Sequence, residues 1–134
     1  MATPYQDRQI PAPHMNEGDA PYFEGATQGK LIVKYCNDCK RYHHYPRALC
    51  PFCFSDRLEW KEAKGTGTVY SFSITRASGP VPYAIAYVTL DEGPSIMTNI
   101  VDCDLDTIRC GQKVTVSFKA TDDPKLAVPM FKPV

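Results

Sequence analysis

The chain has 134 residues, 43% of them hydrophobic, which favours one modest domain or two small units with a packed core over wholesale disorder. Lys plus Arg and Asp plus Glu both total 15, so the formal net charge is zero. This balance argues against the strong non-specific attraction to nucleic acid or anionic membranes that a basic protein shows.

The first residues lack the charged segment and apolar run of a signal peptide, and no stretch reaches the roughly 18 apolar residues of a transmembrane helix. We therefore expect a cytoplasmic protein without membrane contact. In that reducing compartment, paired cysteines are more often metal ligands or redox groups than disulfides.

Residues 1–19 carry three prolines among polar residues and show no periodicity, so we expect an extended arm that stays partly disordered until it meets a surface. Residues 20–62 should form a short helix and a metal-binding unit. Asp19 is predicted to cap the helix, whose apolar residues share one face: Tyr22, Phe23 and Ala26. A short strand with Leu31, Val33 and Tyr35 on one side then leads into the first cysteine.

The segment CNDCKRYHHYPRALCPFC, residues 36–53, contains two C-x-x-C pairs separated by ten residues. Two such turns supply the four tetrahedral thiolates that zinc prefers, and they leave no open position for a substrate water. The predicted ligands are Cys36, Cys39, Cys50 and Cys53. The spacing therefore predicts a structural zinc ion.

Iron bound by the same sulfurs would instead give a rubredoxin-like electron carrier. Such carriers usually place glycine after each C-x-x-C, whereas this chain has Lys40 and Phe54 there, which makes iron the weaker alternative. With four sulfurs available, the histidines are interpreted as surface or packing residues rather than ligands: His14, His43 and His44.

Four basic residues surround the cysteines in sequence, with only Asp38 opposing them: Lys34, Lys40, Arg41 and Arg47. Four thiolates on a zinc dication leave a net charge of about −2, so these cations can simply offset that charge. They can also form a local patch for a ligand that carries phosphate.

Residues 63–134 show a period of two almost throughout and predict five strands, with one short helical connection after the third. This pattern is typical of a small closed barrel of the OB type, so the predicted fold class is mainly β. In the first barrel strand we expect Tyr70, Phe72 and Ile74 on one face.

No residue pattern predicts an independent active site. The two remaining cysteines, Cys103 and Cys110, have no histidine near them in sequence and are interpreted as structural thiols. The stretch GTGTVY, residues 65–70, lacks the third glycine of a dinucleotide loop and precedes a strand. The stretch DCDLD, residues 102–106, lacks the glycine and distal glutamate of a calcium loop, so its carboxylates are expected in turn and helix-cap roles.

Several stretches, in order, resemble the domain-of-unknown-function family thirty-five, in which a rubredoxin-like zinc ribbon precedes an OB-fold. They run from about Tyr22 to Pro133 and comprise YFEGATQGKLIVKYC, YPRALCPFC, Trp60, GTGTVYSFSIT, PYAIAYVTLDEGP, CGQKVTVSF and PMFKP. The chain departs from the family pattern at Tyr45, where proline is frequent, and at the two positions after the C-x-x-C pairs.

The resemblance implies a non-catalytic, acyl-CoA-associated scaffold that docks a thiolase-fold subunit in a hetero-oligomer, for example in β-oxidation-like degradation of aromatic or steroid side chains. On this view any enzymatic activity belongs to the complex. The docking surface would be the ribbon with Tyr22 and Phe23 of the helix. The basic residues Lys34, Lys40, Arg41 and Arg47 would contact a CoA phosphate or acidic groups of the partner.

A stand-alone nucleic-acid-binding module is the alternative, since zinc ribbons and OB barrels both occur in such proteins. Four aromatic residues could stack on bases: Tyr70, Phe72, Tyr83 and Tyr87. The zero net charge and the lack of a long basic stripe argue against this alternative. Alternating aromatic residues in strands are more often core residues, which is what we expect here.

Overall fold

The computed structural model describes residues 2–77 and 79–134. Its elements in chain order are α1 (Ala20–Thr27), β1 (Ile32–Cys36), β2 (Tyr42–His43), β3 (Leu58–Glu62), β4 (Thr66–Thr75), β5 (Tyr83–Leu90), β6 (Ser95–Ile100), a 3₁₀ turn (Leu105–Thr107), β7 (Lys113–Ala120) and β8 (Ala127–Pro133). The first three strands form an antiparallel sheet, the ribbon sheet, in the order β2-β1-β3, and the other five close into a barrel in the order β4-β5-β6-β8-β7. The predicted mainly β fold is confirmed, including the five barrel strands and the helical connection after the third.

Helix α1 begins directly after Asp19, with Pro21 in its first turn, where a missing N–H leaves no helical bond unmade. The prediction that the Asp19 side chain caps this helix is wrong. Its carboxylate accepts instead from the N–H of Asn16 (3.0 Å) and from the hydroxyl of Tyr45, which hold it toward the ribbon. Among the described residues, no helix is long and apolar enough to cross a bilayer.

One hydrophobic core runs through the helix, the ribbon sheet and the barrel. Leu31 and Val33 are 3% and 1% exposed and belong to the same buried cluster as Val88 and Phe131 of the barrel. Tyr22 of α1 joins this cluster. Because burial of apolar area is the main force that favours folding, the shared core fixes the ribbon against the barrel.

The N-terminal arm is extended and packs against the barrel of the same chain. The carbonyl of Thr3 accepts from the N–H of Leu105 (2.8 Å), and the N–H of Tyr5 donates to the carbonyl of Cys103 (3.0 Å). Further along, Ile10 is 9% exposed and packs in a second small cluster. These contacts order an arm whose composition alone suggested partial disorder.

The expectation that Tyr70, Phe72 and Ile74 share one face is wrong for Tyr70. The pairing of β4 with β5 shifts register between Val69 and Ser71, so that Tyr70 is an extra residue in a β-bulge. Phe72 and Ile74 pack against the core, whereas Tyr70 is 72% exposed.

The expectation of core positions is wrong for Tyr87 as well. Small and aliphatic residues on the other side of β5 fill the barrel interior: Ala84, Ala86, Val88 and Leu90. Tyr87 lies on the outer face, 47% exposed, opposite Met97 of β6. The outer face of β5 and β6 therefore carries large apolar side chains.

Gly67 is required in β4 because a Cβ there would lie 2.6 Å from the carbonyl oxygen of Thr89 in β5. We expect Gly67→Ala to lower the free energy of unfolding by about 1–3 kcal/mol through this overlap. Urea unfolding followed by circular dichroism measures the loss. Ser73→Ala, an exposed position of the same strand, is the control and should stay within about 0.5 kcal/mol of the unmodified chain. Equal stability of all three proteins would contradict the close approach.

Candidate metal centre and ribbon–barrel groove

The four predicted ligands converge on one point. Cys36 ends β1, Cys39 follows in the turn toward β2, and Cys50 and Cys53 lie in the loop between β2 and β3. All four Sγ atoms lie within 4.8 Å of one another. The Sγ atoms of Cys36 and Cys53 are 3.6 Å apart, as are those of Cys39 and Cys50.

These distances fit a tetrahedral metal ion. Sulfurs bound at about 2.3 Å around one zinc ion would lie about 3.8 Å from each other. In the described part of the chain, this is the one cluster of three or more potential ligands. A set of four thiolates fills every tetrahedral position, so the cluster is a structural metal site that leaves no place for a reacting water.

In each cysteine turn a backbone N–H donates to the sulfur of the first cysteine. The N–H of Cys39 donates to Sγ of Cys36 (3.5 Å), and the N–H of Phe52 donates to Sγ of Cys50 (3.4 Å). The first of these bonds lowers the pKa of the Cys36 thiol to about 7, because a donor stabilises the thiolate. At Cys36 the backbone thus favours the charged form that a metal ion requires, whereas burial raises the pKa of the Cys39 thiol to about 12.

Lys40 and Phe54 take the backbone conformation that glycine takes in related turns. Their φ angles are +59° and +62°, in the left-handed region. This conformation costs an ordinary residue roughly 1–2 kcal/mol. The chain therefore forms both turns without glycine, and metal binding, which contributes to folding free energy, can offset the cost.

The four predicted basic residues do not form one group. Nζ of Lys34 lies 4.8 Å from the centre of the Trp60 ring, on the ribbon sheet. The other three line one cavity of about 600 Å³ between the ribbon and the barrel, which we call the basic cavity: Lys40, Arg41 and Arg47. Glu92, between β5 and β6, brings a carboxylate to the same cavity.

A second cavity of about 460 Å³, the apolar cavity, adjoins the first and shares His44, Tyr45 and Ser95 with it. Its apolar walls come from the helix, the ribbon and the outside of the barrel: Tyr22, Phe23, Pro46, Tyr87, Met97, Val128 and Pro129. Together the two cavities form the ribbon–barrel groove. Tyr22 is only 8% exposed and belongs to the core, so it and Phe23 line this groove instead of projecting from the helix as a free docking face.

A polar cluster lies where the two cavities meet, formed by the buried Asp19, the half-buried His44 and the exposed Tyr45, and we call it the waist. Asp19 is 2% exposed, and its Oδ2 accepts from the hydroxyl of Tyr45. Its Oδ1 is buried with no hydrogen-bond partner among residues 2–77 and 79–134. A buried acceptor left unpaired costs about 1–3 kcal/mol.

The two adjacent histidines line the basic cavity, where His43 is buried and His44 is half-buried. His43 is 4% exposed, and neither of its ring nitrogens has a partner within the described residues. The ring of His44 lies 5.2 Å from that of Tyr22, and its Nδ1 is likewise unpaired in the part of the chain that the structure describes. Burial lowers the pKa of both side chains, that of His44 to about 4. Both are therefore neutral at physiological pH.

Sequence reasoning missed most of the groove. The sequence singled out Tyr45 only as a departure from a family pattern, considered Tyr87 only as a base-stacking or core residue, and gave no role to Met97. A usable signal was present in β5, where small residues alternate with Tyr83, Ile85 and Tyr87. Small residues fit the inside of a narrow barrel, so their alternation places the large residues outside.

Three apolar side chains beside the metal site are exposed to solvent: Leu49 (50%), Phe52 (47%) and Phe54 (75%). We call them the knuckle patch. The guanidinium of Arg41 lies 3.5 Å from the centre of the Phe52 ring and covers part of it. Clustered exposed aromatic and aliphatic side chains are typical of protein-binding surfaces.

The remaining sequence features have structural roles. All six cysteines lie within the described residues, and none of them forms a disulfide. Cys103 packs against the core, and burial raises the pKa of its thiol. Asp104 accepts from the N–H groups of Asp106 (3.0 Å) and Thr3 (2.8 Å). The predicted cap role in DCDLD is thereby confirmed for Asp104.

The fold and the cysteine site define a rubredoxin-like zinc ribbon followed by an OB-fold domain. Residues 23–59 match the family model described as the ChsH2 rubredoxin-like zinc ribbon domain, and residues 60–119 match that of the ChsH2 C-terminal OB-fold domain. A DUF35 domain-containing scaffold protein of Methanothermobacter thermautotrophicus is 32% identical over 95 residues, which cover 66% of this chain and 71% of that protein. The chain belongs to the DUF35 family, the predicted domain-of-unknown-function family thirty-five.

Two further relatives extend the comparison. A probable enoyl-CoA hydratase alpha subunit of Thermomonospora curvata is 36% identical over 127 residues, and the match spans 92% of this chain but only 40% of that protein. The solved structure of an Ltp2-ChsH2(DUF35) aldolase contains a chain with a TM-score of 0.80 and 36% identity, covering 91% of this chain and 98% of that one. A DUF35 protein from Sulfolobus solfataricus, 20% identical with a TM-score of 0.64, shares the fold.

Cys39→Ala should release the metal ion and unfold the ribbon, because three thiolates no longer complete the tetrahedron and metal binding contributes to folding free energy. We expect the ratio of metal to protein to fall well below one and the thermal midpoint to drop, measured by elemental analysis and circular dichroism. Cys110→Ala, which removes an exposed thiol, is the control and should change neither. A Cys39→Ala protein with full metal content and an unchanged melt would overturn the structural-metal assignment.

The half-buried His44 should make stability fall in mild acid. The unfolded chain takes up a proton near pH 6.5, whereas the folded chain resists until a pKa of about 4, so stability is complete above pH 6.5 and is lost as the pH falls toward 4. The difference corresponds to about 3 kcal/mol. His44→Phe keeps the ring against Tyr22 and removes the titration. Denaturant unfolding at pH 7 and at pH 4.5 should show a smaller loss for the variant; equal losses would contradict a depressed pKa.

Proposed function

We propose that the chain is a non-catalytic scaffold subunit that docks a thiolase-fold enzyme of acyl-CoA metabolism. The observation that carries this proposal is the likeness, over nine-tenths of the chain, to the DUF35 component of the Ltp2-ChsH2 aldolase. Two other relatives point in the same direction, one named as a scaffold protein and one as a probable enoyl-CoA hydratase alpha subunit. The reducing cytoplasm is the compartment in which such a thiolate site would be stable.

We assign the metal as zinc, held by Cys36, Cys39, Cys50 and Cys53. A closed set of four thiolates suits zinc in a structural role, since zinc has no redox chemistry and takes tetrahedral geometry readily. Iron in the same sulfurs would give the protein visible absorbance and a redox potential, so the colour and metal content of the purified protein distinguish the two.

The knuckle patch is the docking surface that the exposure of its side chains supports best. Leu49, Phe52 and Phe54 lie around a site held rigid by four metal–sulfur bonds, and rigid apolar anchors bind at low entropic cost. The helix residues Tyr22 and Phe23, expected from the sequence to take part in docking, line the apolar cavity, and their part in docking stays a prediction.

An acyl-CoA contact is the second part of the proposal, and it is placed in the groove. Lys40, Arg41 and Arg47 bring three cations to one cavity, beside a cavity with apolar walls. Phosphate groups suit the cationic cavity, and an acyl chain suits the cavity with apolar walls. Lys34 lies over Trp60, and we assign it to contacts with acidic groups of the partner.

One structural observation supports the nucleic-acid alternative: Tyr70 and Tyr87 are exposed and could stack on bases. Neutral overall charge still weighs against it, since phosphate contacts supply most of the affinity for nucleic acid. Retention on heparin at low salt, or nucleotide absorbance that persists through purification, would favour this alternative over the scaffold function.

The test is affinity purification of the tagged chain from its native host at low salt, with mass spectrometry and metal analysis of the eluate. We expect a thiolase-fold subunit in stoichiometric amount and one zinc ion per chain. The double variant Leu49→Glu, Phe54→Glu should reduce recovery of that subunit at least about tenfold, because it places charges where an apolar contact is required.

Tyr70→Glu is the matched control, since Tyr70 is equally exposed but lies on the barrel, and it should leave recovery unchanged. Recovery of a zinc protein without any thiolase-fold subunit would overturn the proposed function. Equal recovery with all variants would overturn the assignment of the docking surface alone.

A further inference from the structure

The four sulfurs of the metal site differ in their access to solvent. Cys36 and Cys50 are 0% exposed. Cys39 is half-buried, and Cys53, which lies in the segment that carries the knuckle patch, is exposed. A small polar oxidant in solution therefore reaches Cys53 first among the four.

Each accessible sulfur has a buried sulfur as a close neighbour. Sγ of the exposed Cys53 lies 3.6 Å from Sγ of the buried Cys36. Sγ of the half-buried Cys39 lies 3.6 Å from Sγ of the buried Cys50. To close either distance to the roughly 2.05 Å of a disulfide, each sulfur moves by less than about 1 Å. Both pairs therefore join one cysteine turn to the other, and each contains one accessible and one buried sulfur.

This arrangement is typical of cysteines that respond to oxidants, in which an accessible thiolate has a second cysteine beside it. Metal binding requires deprotonated cysteine, and the thiolate is also the nucleophilic form. A thiolate oxidised to a sulfenic acid condenses with a neighbouring sulfur to give a disulfide. The cluster therefore supplies the reacting group and its partner at contact distance.

We propose that Cys53 is a peroxide-oxidation site of the free chain, which forms a disulfide with Cys36 and thereby opens the metal site. In the first step the Cys53 thiolate attacks hydrogen peroxide: an S–O bond forms, the O–O bond breaks, and the second peroxide oxygen leaves as hydroxide. The sulfur loses two electrons and the peroxide gains them. In the second step the Cys36 thiolate attacks the Cys53 sulfur: the S–S bond forms, the S–O bond breaks, and hydroxide leaves. Both hydroxide ions take up protons from solvent and become water.

The first disulfide leaves Cys39 and Cys50 as the remaining ligands. Two thiolates do not complete the tetrahedron of a structural zinc ion, so the metal is released. A second molecule of peroxide then oxidises Cys39, and Cys50 closes the second disulfide by the same two steps. Because both disulfides join the two turns, residues 40–49 stay tied at both ends without a metal ion.

The proposal concerns the free chain and does not rest on the proposed function. Cys53 lies between Phe52 and Phe54 in sequence, so a subunit docked on the knuckle patch would cover it. Oxidation would then be confined to chains that have not yet assembled. The experiments use the isolated full-length chain, and their outcome leaves the assignment of the docking surface as it is.

Peptide mapping of the zinc-loaded chain after treatment with increasing hydrogen peroxide at pH 7 tests the pairing. Trypsin places the first cysteine pair in residues 35–40 and the second in residues 48–57. Disulfides across the turns link these two peptides covalently, and further cleavage before Asp38 and after Phe52 identifies the partners. We expect the link between Cys36 and Cys53 to appear before that between Cys39 and Cys50. Disulfides within either C-x-x-C pair would overturn the proposal.

Zinc release, followed with a chromogenic chelator, should rise together with the link between Cys36 and Cys53. Cys110, an exposed thiol outside the cluster, is the internal reference. If Cys110 is oxidised to the sulfonic acid while the zinc remains bound, the proposal fails. The oxidised chain should also melt at a higher temperature than the reduced chain stripped of metal by a chelator. Equal midpoints would show that the disulfides do not replace the metal as a link between the turns.

Two matched variants separate the accessible sulfurs. Cys53→His and Cys39→His each keep four zinc ligands, since imidazole binds zinc, but each removes one sulfur. At a fixed peroxide concentration we expect zinc release to slow at least about fivefold in Cys53→His and less than about twofold in Cys39→His, because oxidation follows exposure. Equal rates in Cys53→His and the unmodified chain would contradict the assignment. Where a variant does not hold zinc, the mapping of the unmodified chain decides.

Discussion

Four thiolates confined within 4.8 Å of one another are the constraint on which the rest of the structure depends. Negative charges at that separation repel one another unless a cation lies among them. A metal ion bound among them would remove this repulsion and strengthen the contacts between the two cysteine turns, which also include the ion pair of Asp38 and Arg57 (3.1 Å). Residues 40–49 connect the two cysteine pairs, so a metal ion held by all four sulfurs would fix both ends of this segment.

That segment also forms one wall of the groove. Lys40, Arg41, His44, Tyr45 and Arg47 all belong to it, and none of them is a metal ligand. The opposite wall comes from the barrel, which is fixed to the ribbon by the shared core around Leu31 and Val33. A structural ion can in this way position a binding site that it does not touch, much as outer-shell groups position the ligands of a metal.

The sequence was sufficient for the metal site and for the architecture, and the reasons are local. The spacing of two C-x-x-C pairs has few geometric solutions, and the period of two in the last seventy residues specifies strands directly. The incorrect predictions concern features that depend on contacts between segments far apart in the sequence. A bulge that exposes Tyr70 depends on pairing between two strands, and the carboxylate of Asp19 leaves the helix because Tyr45, 26 residues away, donates to it.

The groove could not be predicted because it belongs to no single segment. Its walls come from the helix, the ribbon loop, β5, β6 and β8, which meet only in the folded chain. Whole-chain neutrality concealed it as well, since the sum of 15 positive and 15 negative charges says nothing about three cations in one cavity. Composition limits the partners of a protein as a whole, whereas the local field determines what an individual site binds.

Most departures from ordinary local structure fall in one region of the molecule; Asp102, whose φ of +59° lies in the left-handed region between β6 and the 3₁₀ turn, is outside it. Lys40 and Phe54 have left-handed backbones, and the unpaired buried atoms of Asp19, His43 and His44 lie around the groove. Each feature costs stability, and a chain selected for stability alone would remove them by simple substitutions such as glycine at position 40 or asparagine at position 19. Their concentration beside the metal and the two cavities, on a barrel with a continuous apolar core, is the pattern expected where a sequence retains local strain for binding.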